Sequence, residues 1–94
     1  MALILSAREG ESVYVGDRKV TVTEIYHATH FKVCVVDEFV DAVFTIRASE
    51  RTEILPDVFL SAGNTGNAHA VKLVFEAPSD RVILRERLYQ RGSR

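Results

Sequence analysis

Turn residues cut this chain into apolar runs of four to eight residues, and inside most runs apolar and polar side chains alternate. A period of two belongs to strands with one face on a core and the other in water. These runs confine the chain to a mainly β fold built from small antiparallel sheets. Ala2 to Arg8 passes from apolar to polar and stops at Gly10. Ser12–Val15 is rich in β-formers, and Gly16-Asp17-Arg18-Lys19 reads as the turn of a hairpin. Val20 to Tyr26 alternates with Val20 and Val22 toward the core and a change of face near Ile25. Phe31, Val33 and Val35 share a face, as do Val71, Leu73 and Phe75 in the run from His69 to Glu76. Ala42 to Arg47 is a further strand. Pro56 bars a central strand across Ile54–Leu60 and marks an edge or a break. Gly63-Asn64-Thr65-Gly66-Asn67 is the clearest loop, and Ala77-Pro78-Ser79-Asp80 is a turn before a last strand at Arg81–Leu84. Arg85 to Arg91 has helix-forming composition, with Gly92 as its stop. The expectation is about six or seven short strands and one short C-terminal helix.

With 94 residues, one domain spanning 1–94 is expected. The chain is 47% apolar and 27% charged, a globular balance rather than that of a disordered segment. No apolar run approaches the ~20 residues of a membrane-spanning helix. Met1–Leu5 is too short for the apolar region of a signal peptide and is halted at Arg8-Glu9. The one cysteine, Cys34, excludes an intrachain disulfide and fits a reducing, cytoplasmic setting. A chain this short buries a modest share of its surface, for which association with a second copy is a common remedy. The net charge of −1 conceals an asymmetry: residues 1–70 carry 6 Lys/Arg against 10 Asp/Glu, residues 71–94 carry 6 against 3. A basic end on a near-neutral chain is either a footprint for phosphate or a solvated helix end.

Catalytic and metal chemistries find little support. His27, His30 and Cys34 lie close in sequence, with Asp37 beyond. On a continuous strand His27 and His30 face opposite ways, though a turn at Ala28-Thr29 would bring them together. His30 and Cys34 share a face but stand about 13 Å apart along a strand. Cys34 sits in an apolar strand, where a thiol is inert packing. The 63–67 loop lacks the Gly-Lys-Ser/Thr of a phosphate loop. Asp37, Glu38 and Asp41 lack the spacing of a calcium loop and read as a solvated turn. Neither an enzyme nor a cofactor is expected. Arg81 and Arg85 share a strand parity with Ile83 between them, a pattern that either suits a single strand of nucleic acid or flanks a sheet edge.

The two ends carry a more specific pattern. Met1-Ala2-Leu3-Ile4-Leu5-Ser6-Ala7-Arg8-Glu9-Gly10-Glu11, followed by Val15-Gly16-Asp17 and Val20–Thr23, resembles the opening of the carbon storage regulator (CsrA/RsmA) family. Val71–Pro78, then Arg81-Val82-Ile83-Leu84-Arg85-Glu86 and Leu88-Tyr89-Gln90-Arg91, is similar to that family's closing strands and helix. The likeness covers about residues 1–26 and 66–91. It implies an interlocked homodimer in which the first strand of one chain pairs with the last strand of the other, setting Arg8 of one protomer near Arg85 of its partner. It also implies a post-transcriptional regulator that reads GGA-containing single-stranded loops of mRNA or small RNA. Unpaired bases expose edges that a duplex hides. Carried over by position, Leu5, Ser6 and Arg8 match first-strand contacts, and Ala77 and Pro78 match a turn whose backbone meets the bases. Ile83, Leu84 and Arg85 match last-strand contacts.

This chain departs from the pattern in five ways. Ala7 stands where the family has its first arginine, a loss of roughly 1–3 kcal/mol if that contact is well made. Arg81 replaces an apolar residue and is a candidate to restore the charge. Leu84 replaces a histidine, and Glu9 adds a negative charge. The largest departure is an inserted β-rich segment at about 27–65, with Lys32, Arg47 and Arg51 against six acids. It is expected to add two or three strands, as an extension of the sheet or a lobe. The competing reading keeps the fold but makes the chain a protein-interaction module or a regulator of CsrA-like proteins, with a weakened RNA site and a protein partner on the insertion.

Overall fold

The computed structural model describes residues 2–36, 41–78, 80 and 82–85, with Leu84 and Arg85 as backbone alone. Among them nine strands form: β1 (Ala2–Ala7), β2 (Ser12–Val15), β3 (Arg18–His27), β4 (His30–Val36), β5 (Asp41–Arg47), β6 (Thr52–Leu55), β7 (Val58–Ala62), β8 (Val71–Glu76) and β9 (Ile83–Arg85). They make a four-stranded sheet of order β1-β8-β7-β6 and a five-stranded sheet of order β5-β4-β3-β2-β9. Every strand pair is antiparallel. The mainly β, antiparallel expectation therefore holds.

The inner faces of both sheets close on one core. Val13, Val15, Val20, Val22, Phe31, Val33, Val35 and Ile46 come from the five-stranded sheet; Ala7, Ile54, Val58, Leu60, Ala62, Val71, Leu73 and Phe75 come from the other. The alternation in the sequence is thus a direct record of which side chains leave water. Each large apolar side chain fully buried contributes about 1.5–3 kcal/mol toward holding the sheets together. The polar Ser12, on the face of β2 opposite the inward Val13 and Val15, is also buried, and its hydroxyl bonds that of Thr21 at 2.8 Å, so its burial leaves no orphaned group.

The turns are set locally. Val15 pairs with Arg18, leaving Gly16-Asp17 as a two-residue turn with Gly16 at φ 62°, a left-handed angle that glycine adopts without strain. Leu55 pairs with Val58 around Pro56-Asp57. Proline fixes the first turn position and Asp57 takes φ 64° at the second, the pattern of a type II turn. The break expected at Pro56 is therefore a hairpin tip.

Several expectations are corrected. There are nine strands rather than six or seven; one of the additions comes from the Pro56 turn, which splits one apolar run into β6 and β7. The 27–65 segment adds four strands rather than two or three, and no separate lobe: β4 and β5 extend the sheet of β2 and β3, while β6 and β7 extend that of β8. The eighth strand starts at Val71 rather than His69, because the Asn67 carboxamide oxygen accepts the N–H groups of His69 and Ala70 and holds them in a turn. Arg85, expected at the start of the helix, is the last residue of β9, where its backbone pairs with Val13. The remainder of the expected helix, residues 86–91, lies outside the described residues.

Candidate nucleic-acid interface

β1 delivers its chain into a turn that is clamped on both sides. The Arg8 N–H donates to the Glu11 carboxylate at 2.7 Å, and the Glu11 N–H donates to the Arg8 carbonyl at 3.0 Å. Gly10, at φ 89°, donates its N–H to the Val22 carbonyl at 2.7 Å, and Val22 donates in return to the Glu11 carbonyl at 3.0 Å. The Glu9 carboxylate accepts the Ile25 N–H at 3.0 Å. The acid that sequence reading placed as a charge against the site thus spends one oxygen on the backbone of β3. Arg8 is left exposed, without an ion pair among the described residues, at the mouth of an open cleft of about 750 Å³ that it shares with Glu9, Ile25 and Asn67–Ala70. An exposed guanidinium in a fixed turn is a ready donor to phosphate or to a base edge.

The other expected site residues fall in three places. Leu5 is half-buried against the core, and Ser6 accepts a hydrogen bond from the Lys72 ammonium across the β1–β8 pair. Ala77 is buried and Pro78 exposed at the opposite end of β1, since Ala2 pairs with Glu76. They border a groove of about 510 Å³ with Ala2, Asp57 and Phe59, where Arg51 lies 4.4 Å over the Phe59 ring and 2.6 Å from the Glu76 carboxylate. Five strand steps of ~3.4 Å separate the two ends of β1. One chain therefore does not bring Ala77 and Pro78 to Arg8. Ile83 is half-buried and pairs with Val15. The backbone of Arg85 pairs with Val13, just past the Arg8 turn, so the end of β9 and Arg8 approach the same end of β2. Arg81 lies outside the described residues, as do the side chains of Leu84 and Arg85.

Ala7 changes meaning. It is 1% exposed, faces inward opposite Val71 and belongs to the core. The position at which the resemblance calls for an arginine is here a buried one, where a charge is costly. Its parity with Leu3 and Leu5 is the signal that sequence reading passed over.

Sequence reading also missed the free end of β3 and β4. Ala28-Thr29 does form the turn that pairs His27 with His30, on the solvent face. The Tyr26 ring lies 5.0 Å from that of His30, and the Lys32 ammonium is 5.8 Å from the Tyr26 centroid. A hydrogen bond to Tyr26, the phenol's charge and then the Glu24 carboxylate raise the Lys32 pKa above its ordinary 10.5, so this lysine stays charged. The Tyr26 hydroxyl in turn donates to Glu24. Among the described residues no three His, Cys, Asp or Glu side chains are arranged to hold a metal ion. Asp37 lies outside them. No described helix is long and apolar enough to cross a membrane. In comparisons of the chain with protein-family models, curated proteins and solved structures, nothing matches.

Proposed function

We propose that this chain is a divergent relative of the carbon storage regulators, acting by binding rather than catalysis as a cytoplasmic post-transcriptional regulator of RNA. The observation that carries the reading is Arg8: an exposed guanidinium with no ion pair among the described residues, on a hydrogen-bonded turn facing an open cleft, at the end of β2 that β9 also reaches. The ligand is an unpaired RNA loop, with GGA the expected sequence from the resemblance. Arg8 and Arg85 supply the phosphate and base-edge contacts.

A homodimer fits the same geometry. Among the described residues β1 and β9 each stand at the end of a sheet, with no further strand beside them. β1 carries no charged residue, and such an edge invites another strand. Pairing β1 of one protomer with β9 of its partner continues the four-stranded sheet of one chain into the five-stranded sheet of the other, and sets Arg8 beside Arg85 of the partner subunit.

The test is a titration with a GGA-loop hairpin at two salt concentrations. Arg8→Ala and Arg85→Ala should each weaken binding by about tenfold or more and flatten the salt dependence. Equal affinity for a scrambled loop, or no change in either variant, would remove the RNA reading in favour of the protein-interaction module.

A further inference from the structure

We propose that the free end of the β3–β4 hairpin is a second RNA-contacting surface, on which Tyr26 and His30 stack unpaired bases and Lys32 and Arg47 hold their phosphates. It rests on the reading above and extends it, by receiving the single-stranded segment that leaves the loop held at Arg8.

The backbone is shaped to expose this cluster. With Val20 and Val22 inward, strict alternation would send residues 24 and 26 inward too. Register shifts at Val22/Glu24 and at Ile25/His27 instead turn Glu24, Tyr26 and His27 to the solvent face while Ile25 packs on the core. Bulges that re-aim side chains in this way gather beside binding sites. Their product is a tyrosine 47% exposed at the end of a sheet, where a buried aromatic would serve the core better. Two adjacent rings beside two cations offer what unpaired nucleotides bind: flat faces for bases and fixed positive charge for phosphates.

The charge pattern selects this end. Along β4 and β5 one terminus pairs His30 with Arg47 and the other pairs Val36 with Asp41. Among the described residues of these two strands the one acid, Asp41, lies at the far end, ~20 Å away, while Glu50, whose N–H donates to the Arg47 carbonyl at 3.4 Å, follows the near end. At the near end Arg47 has no ion pair among the described residues, and Glu24 is occupied by the Tyr26 hydroxyl. An open cleft of about 360 Å³ lies between Thr29, His30, Arg47, Ala48 and Ser49, with room for a phosphate and sugar.

Continuity links it to the Arg8 cleft. Ile25 lines that cleft and donates its N–H to Glu9; Tyr26 is the next residue, on the other face of the same strand. An RNA segment leaving Arg8 turns around the end of β3 and meets Tyr26, whose Cα is ~3.8 Å further along the chain than that of Ile25.

The experiment compares a GGA-loop hairpin with and without a short unpaired tail, by fluorescence anisotropy. The tail should tighten wild-type binding about tenfold. Tyr26→Ala and Arg47→Ala should each remove most of that gain while binding the tail-less hairpin as wild type does; both residues are exposed, and unchanged thermal melting checks that the fold is kept. A tail that adds nothing, or a gain that survives both substitutions, overturns the proposal. Tyr26-dependent binding of an unpaired oligonucleotide without binding of the hairpin would support this surface and refute the loop reading at Arg8. Failure of both RNAs to bind refutes both.

Discussion

Replacing Ala7 by arginine would introduce the residue that the resemblance to the carbon storage regulators calls for at that position, and in this chain it should do harm. Ala7 is 1% exposed and faces Val71, itself fully buried. The new side chain must overfill a packed core, at about 1–3 kcal/mol. If its guanidinium stays inside without a partner, the penalty is of the order of the 3–5 kcal/mol seen when one member of a buried ion pair is removed. Position 7 ends an edge strand, so a long aliphatic stem can carry the charge partway to water, which favours the lower part of the summed range. A loss of about 4 kcal/mol is a large share of the roughly 5–14 kcal/mol expected for a domain of this length. With a urea slope of about 1–3 kcal/mol/M, the midpoint should fall by about 1.3 M or more. Urea unfolding followed by circular dichroism measures this, beside hairpin binding by the folded fraction. A midpoint within error of wild type together with tighter RNA binding would refute the reasoning, since residue 7 would then face the ligand and the β1–β8 register would be wrong.

Phe31→Ala should destabilise by about 3–5 kcal/mol in the same assay, because the ring is fully buried where both sheets meet. Gly63→Ala should cost about 1–3 kcal/mol, since its Cβ would stand 2.8 Å from the Cβ of Lys72; a neutral result would show that β7 and β8 separate there at little cost. Deleting residues 38–62 should leave no cooperative thermal transition, because it removes β5, β6 and β7 with the core residues Ile46, Ile54, Val58, Leu60 and Ala62. In an NMR titration the Lys32 ammonium should lose its proton above pH 10.5, and Tyr26→Phe should return it toward that value. A raised folded-state pKa makes the lysine's contribution to stability complete below pH 10.5 and removes it as pH rises through the higher folded value.

Faces were legible in the sequence, neighbours were not. A period of two announces that Phe31, Val33 and Val35, or Val71, Leu73 and Phe75, leave water together, and all six are buried. It contains nothing about which strand lies beside which, so the adjacency of β1 to β8 and of β2 to β9 emerged only with the fold. Pro56 signalled a break but not that Asp57 would take a left-handed angle and close a hairpin. For the candidate interface, Arg8 was found through the motif around it. Tyr26 was passed over although a change of face near Ile25 was expected, because the run does not show that the hairpin brings its ring beside that of His30.

The joining of the chain's far ends governs when this protein can become itself. Ala2 pairs with Glu76 and Val13 with Arg85, so β1 and one side of β2 wait for strands about seventy residues downstream. At a synthesis rate of 5–20 residues per second that is a delay of roughly 4–15 s. Throughout it an uncharged apolar strand stands without its partner, while the hairpins from β3 to β5 can already close. Nascent chains should therefore be most vulnerable to aggregation through β1, and chaperone capture of a stalled chain should map to Ala2–Ala7.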